Sequence, residues 1–105
     1  QDIWIGNLKT KKFERITRWA GYDNFPMWVG DAIYFNSDRR FGRMNLYRYS
    51  LKTRQFQQLT HFKNWDVEFP SFGDGKIVYG CQGYLRTIDL TTGKNQRVKI
   101  RIPSD

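Results

Sequence analysis

One cysteine, Cys81, and one histidine, His61, are all that the 105 residues hold of either type. A lone cysteine excludes an internal disulfide. A structural zinc site takes about four Cys or His ligands, so a soft-ligand metal centre is also out of reach for one copy of the chain. No cofactor and no metal are expected. No apolar run approaches the ~20 residues that span a bilayer. The opening Gln1-Asp2-Ile3-Trp4 lacks the basic start and small-residue cleavage site of a signal peptide and enters a strand-like pattern at once, which points to an excised or processed piece. A cytoplasmic location is the expectation, with a periplasmic one left open.

Acidic residues are few, 10 against 18 Lys plus Arg, and the formal charge is +8. At 39% hydrophobic and 17% aromatic the chain is too apolar for a disordered tail, and no helical periodicity of useful length runs through it. Its length allows one domain and leaves little room for a catalytic domain beside a binding module.

What the sequence does hold is a repeat. Asp2-Ile-Trp-Ile-Gly-Asn-Leu-Lys-Thr10 recurs as Asn45-Leu-Tyr-Arg-Tyr-Ser-Leu-Lys-Thr53, and more weakly as Tyr84-Leu-Arg-Thr-Ile-Asp-Leu-Thr-Thr92. Each copy leads to a second apolar segment: Phe13-Glu-Arg-Ile-Thr17, Phe56-Gln-Gln-Leu-Thr60 and Gln96-Arg-Val-Lys-Ile100. Between them stand Phe25-Pro-Met-Trp28 and Phe69-Pro-Ser-Phe72, each followed by a Gly-Asp turn and a β-rich run, Ala32–Asn36 or Lys76–Gly80. The unit is four short strands in about 40 residues, with period-2 alternation, β-branched and aromatic enrichment and polar turns.

Four-stranded units at this period are propeller blades, small twisted sheets that stack because none buries both faces alone. The fold class expected is therefore all-β: a partial β-propeller of about two and a half antiparallel blades. Blade one contributes its last two strands within residues 1–18, blade two spans 23–60 and blade three 67–100. Closed propellers take roughly 4 to 8 blades, so the chain alone cannot close a ring; it belongs to a larger propeller or assembles with copies of itself. A ten-strand sandwich or barrel is the competing architecture. Trp4, Trp28, Phe35, Tyr47, Leu51, Leu59, Phe72, Ile77 and Leu90 are expected to pack between blades.

Four motifs, Phe25-Pro-Met-Trp28, Ile33-Tyr-Phe-Asn-Ser-Asp38, Gly42-Arg-Met-Asn-Leu-Tyr47 and Gln58-Leu-Thr-His-Phe62, give the chain a resemblance to the β-propeller repeats of tricorn-type peptidases and, more distantly, to TolB-like periplasmic proteins. The similarity spans nearly the whole chain. The stretch Ser37-Asp-Arg-Arg-Phe-Gly-Arg43 departs from it by one extra residue. The resemblance implies a non-catalytic propeller over a separate serine-peptidase core, filtering peptides, with the core and its PDZ-like domain outside these residues.

Catalysis by the chain itself is not expected. Ser37, Ser50, Ser71 and Ser104 lie in turn or strand-edge contexts with no Gly-x-Ser-x-Gly elbow, and Cys81 reads as a packed apolar residue. Asp66 and Glu68, two apart, can share a strand face, but their place before Phe69-Pro70 favours hydrogen bonding in a turn or a channel-facing position over acid–base work. Gly73-Asp-Gly75 reads as a hairpin turn, not a phosphate cradle.

The basic excess carries more. In a four-stranded blade the second-to-third-strand turn and the blade-to-blade connection share one rim. Arg39, Arg40, Phe41 and Arg43 thereby join Arg18, Trp19, Tyr22, His61, Lys63 and Trp65, while Lys9, Lys11, Lys12, Lys52, Arg54 and Lys94 fall on the opposite rim. Guanidinium groups grip carboxylates bidentately and exposed rings add rigid apolar area, so Arg39, Arg40, Arg43, Arg18, Trp19, Tyr22, His61 and Trp65 are the candidate peptide-binding residues. The expected partners are peptides or other domains of the parent protein. A protein–protein scaffold without peptidase activity is the alternative. Charges spread over both rims, with no RNP-like or basic-helix signature, count against nucleic acid.

Overall fold

Alternation of β-branched and aromatic residues with polar ones gives ten strands and no helix among the described residues, 2–7, 12–15 and 21–101 of a computed structural model. Strands β1 (Trp4–Asn7) and β2 (Lys12–Arg15) form an antiparallel hairpin. Strands β3 (Asp23–Val29), β4 (Ala32–Arg40), β5 (Arg43–Ser50) and β6 (Phe56–Gln58) form one four-stranded meander, and β7 (Glu68–Gly73), β8 (Lys76–Cys81), β9 (Tyr84–Asp89) and β10 (Asn95–Arg101) form a second. All pairings are antiparallel between sequence neighbours, the blade arrangement that the repeat predicts. Among the described residues there is no helix long and apolar enough to cross a membrane.

The turns carry the sequence's punctuation. Phe41-Gly42 and Asp74-Gly75 have φ of 60° and 62° and of 50° and 72°, the two left-handed residues that a two-residue primed hairpin needs to match strand twist. The Phe-Pro pairs mark a second device. In β3 the register steps from Asn24↔Asn36 to Met27↔Tyr34, and in β7 from Glu68↔Gly80 to Ser71↔Val78, so each edge strand carries one extra residue at its Phe-Pro. Proline is tolerated there because a bulge on an edge strand does not ask for its missing N–H.

Both faces of β3–β6 are buried. Ala32, Tyr34 and Leu46 pack on Ile77, Tyr79, Cys81 and Ile88 of the second sheet and on Val67 of the connection just before it, with Leu59 and Leu90 half-buried beside them. Ile33, Phe35, Tyr47 and Tyr49 face the other way onto Ile3 and Ile5 of the hairpin, with Leu51 at their edge. Phe35 and Tyr47 stack with ring centroids 5.8 Å apart.

The packing expected of three rings is not found: Trp4 is 60%, Trp28 61% and Phe72 40% exposed. Trp4 alternates with the inward Ile3 and Ile5 and so stands on the hairpin's outer face. Trp28 shares the face of its register partner Ile33, but the hairpin covers β4 and β5 there, not edge strand β3. Phe72 sits at the turn end of edge strand β7. The stretch 37–43 is also mostly strand, not loop. Ser37↔Asn45 and Arg40↔Arg43 leave one unmatched residue, so the extra residue is a bulge beside a two-residue turn.

Removing Phe35, which has no exposed surface, should leave a cavity between hairpin and sheet. Phe35→Ala is expected to cost about 3–5 kcal/mol and Trp28→Ala less than about 1 kcal/mol, read by chemical denaturation.

Candidate functional site

One rim collects the polar chemistry. The backbone N–H of Tyr22 donates to Asp38 Oδ1 at 2.9 Å, tying the entry to β3 onto the β4 bulge. Asp66 Oδ1 accepts the Met44 N–H at 2.8 Å, and the Val67 N–H donates to Met44 O at 2.9 Å, tying the β6–β7 connection onto the start of β5. Buried Asn45 completes the tie: its Oδ1 accepts from the Phe62 N–H and the Thr60 hydroxyl, both at 2.8 Å, and its Nδ2 donates to Phe62 O at 3.0 Å. The β4–β5 turn and the two inter-sheet connections thus end on the same side of the molecule, as the direction of successive strands requires.

At this rim a cavity of about 310 Å³ opens on the hairpin-facing side of β3–β6, lined by Arg39, Arg40, Tyr47, Phe56 and Gln58. Arg39 is held rigidly. Its Nη2 donates to both oxygens of fully buried Asp23 at 3.1 and 3.2 Å, and its Nε donates to Ser37 Oγ at 3.1 Å. Its guanidinium carbon lies 5.1–5.2 Å from the ring centres of Phe35, Tyr47 and Phe56. One ion pair, two hydrogen-bonding groups and three rings therefore fix one side chain. Arg40 is exposed and has no ion-pair partner among the described residues. It stands directly opposite Arg43 across the turn, and Arg43 leans to Asp66 at 3.6 Å. The Tyr47 hydroxyl is buried and has no hydrogen-bond partner among the described residues. Burial raises its pKa against the pull of Arg39 and Arg40, so at neutral pH it is an O–H donor.

The eight candidate residues fall into distinct places. Arg39 and Arg40 share the cavity, and Arg43 sits across the turn. Tyr22 lines a groove on the opposite face of the sheet. His61 and Trp65 are exposed on the β6–β7 connection, next to Lys63, whose ammonium lies 5.2 Å from the Phe41 ring centre. Arg18 and Trp19 lie outside the described residues. On the opposite rim, Lys52 pairs with Asp31 at 3.2 Å. Tyr47, Phe56 and Gln58 were not anticipated as lining residues. Period-2 spacing from Phe35 to Arg39 and the pairing of β5 with β6 are the signals that place them there.

Other reactive groups are engaged elsewhere. Ser37 Oγ accepts from Arg39, and Ser50 Oγ accepts the Thr53 N–H at 3.2 Å. Burial pushes the Cys81 thiol above its ordinary range; Arg86 opposes this and the carboxylates of Glu68 and Asp66 add to it. No described residues form a group of three or more His, Cys, Asp or Glu able to hold a metal ion.

Comparison with known proteins gives a consistent outcome. Residues 1–94 match the family described as the tricorn protease N-terminal beta propeller domain. The chain is 28% identical over 104 residues to the tricorn protease homolog of Saccharolobus solfataricus, covering 99% of this chain and 10% of that protein. It superposes on the crystal structure of the tricorn protease with a TM-score of 0.83 at 21% identity, covering 99% of this chain and 10% of that one. A putative TolB from Agrobacterium tumefaciens matches with a TM-score of 0.74 at 21% identity, covering 91% of this chain and 40% of that one. The chain therefore spans about a tenth of the length of its tricorn relatives.

Two outcomes follow from these contacts. Asp23→Asn leaves the Arg39 guanidinium without its countercharge and is expected to destabilise the fold by about 2–4 kcal/mol in urea titration. Cys81, 2% exposed, is expected to react with an alkylating reagent at least about tenfold more slowly in the folded than in the urea-unfolded chain, followed by mass spectrometry.

Proposed function

The chain belongs to the family of tricorn protease N-terminal beta propeller domains, and from that premise we propose that it serves a longer peptidase as a substrate-selecting wall, holding the C-terminal carboxylate of a peptide at its Arg40 rim. The chain contributes binding and leaves bond cleavage to another part of that protein.

The observation that carries this reading is the Tyr47 hydroxyl, a buried donor without a partner among the described residues, beside two guanidinium groups. A buried hydroxyl left unpaired costs about 1–3 kcal/mol, a cost that a bound carboxylate oxygen would remove. Arg40 supplies the charge. Arg39, anchored on Asp23 and ringed by aromatics, supplies position and a fixed field more than a free hand. The half-exposed Phe56 ring offers apolar surface to the residue that bears the carboxylate.

Arg40→Ala separates recognition from folding, because Arg40 is exposed and has no ion-pair partner among the described residues, while Arg39 is structural. In the intact protein that carries this chain, the variant is expected to bind a peptide with a free C-terminal carboxylate about tenfold more weakly and its C-terminally amidated twin nearly as before, measured by calorimetry. Equal loss for both peptides would overturn the proposal.

A further inference from the structure

On the other face of β3–β6, at the same rim, lies a larger groove of about 450 Å³ between the two four-stranded sheets. Its chemistry is the reverse of the first cavity's. In a chain of formal charge +8, no lysine, arginine or histidine among the described residues lines it. Asn36, only 2% exposed, donates its Nδ2 to Val67 O at 2.8 Å, which fixes the amide orientation and leaves Oδ1 without a donor among the described residues. Its register partner Asn24 likewise has a buried Oδ1 with no hydrogen-bond partner among the described residues. The Asp66 carboxylate adds negative charge, and among the described residues its ion-pair partner is the half-exposed Arg43 at 3.6 Å.

The walls are aromatic. Phe25 and Phe69, the two bulge residues, meet edge to face with ring centres 6.2 Å apart, and both are exposed, as is Tyr22. Both phenylalanines have positive φ, 52° and 48°, immediately before proline, a conformation that costs about 1–2 kcal/mol in a non-glycine residue. The two repeats hold the same conformation at equivalent points and place a ring in the groove each time.

We propose that this groove binds a primary ammonium carried on an aliphatic stem. Unfilled amide oxygens and a carboxylate accept its N–H groups, and the rings cover the stem and attract the charge. A hard divalent cation fits less well, since it takes six or more oxygen ligands and gains nothing from aromatic walls. The carrier of the ammonium, a lysine side chain or a peptide N-terminus, rests on the peptide reading above; the chemistry of the groove does not.

The test uses the intact protein that carries this chain and four probes. One is an N-acetylated, C-amidated peptide with a central lysine, and the second is its norleucine twin. The third is the norleucine peptide with a free N-terminus, and the fourth is n-butylammonium. At least one ammonium-bearing peptide is expected to bind about tenfold more tightly than the acetylated norleucine twin, and the stronger of the two identifies the carrier. Asp66→Asn, which keeps an oxygen for the Met44 N–H while removing the charge, should cut that preference to below about threefold. If that variant melts early, Asn24→Leu makes the same reading by deleting an acceptor. If n-butylammonium binds in an Asp66-dependent way while no peptide binds, the groove stands and the peptide reading falls. The proposal is overturned if the norleucine twin matches both ammonium peptides and n-butylammonium does not bind, or if the preference persists unchanged in a folded variant.

Discussion

Everything in this molecule depends on one sheet being buried on both sides. In β4 six consecutive residues, Ala32 to Ser37, are buried, whereas β8 alternates between buried and exposed positions. A one-sided sheet needs apolar residues at every second position only. Strand β4 has no solvent side, so β3–β6 requires a neighbour on each face, and the hairpin and the β7–β10 sheet supply them. A single blade with two apolar faces cannot bury both of them, so stacking is a condition of folding here.

Stacking in turn decides where polar groups can go. Near the strand ends, backbone groups of the strands and of the inter-sheet connection find side-chain partners, which Asn36, Asn45, Thr60 and Asp66 supply. Each such bond is worth about 1 kcal/mol net, but leaving its partner unpaired would cost about 1–3 kcal/mol. The exceptions are therefore informative. Among the described residues three buried side-chain atoms lack a partner, Asn24 Oδ1, Asn36 Oδ1 and Tyr47 O–H, and all three belong to residues lining the two rim cavities. Polar satisfaction is relaxed at these two cavities.

Much of this was legible in the residues. The recurrence of Asn45–Thr53 with Asp2–Thr10, and of Phe25-Pro26 with Phe69-Pro70, was enough for blades, their order and the rim on which their connections meet. Such features rest on local periodicity and turn chemistry, which a sequence states directly. What it concealed was long-range. Arg39 reads as a free surface charge until Asp23, sixteen residues away, is seen beneath it. Trp28 reads as core because tryptophan usually is; its exposure depends on how far the hairpin reaches across the sheet. The acceptor-lined groove was hidden by the basic composition, since net charge says nothing about which residues share a face.

That last point has a simple geometric origin. Along a regular strand successive side chains alternate faces, so Asn36 turns to the second sheet while Ser37 turns to the hairpin. Unbroken alternation would also send Arg39 and Arg40 to opposite sides. The single unmatched residue between Ser37 and Arg40 resets the phase: Arg40 pairs with Arg43, which is two positions from Asn45, the partner of Ser37, so Arg40 returns to the hairpin side. The Phe25-Pro26 bulge does the same for Asn24, placing it on the face of Met27 and Tyr34. Two one-residue insertions in adjacent strands thus gather guanidinium groups on one face of a sheet and bare amide oxygens on the other. A bulge disrupts the ladder locally and persists where the re-aimed side chain compensates. In this chain the re-aimed side chains are the ones that give each face of the rim its charge.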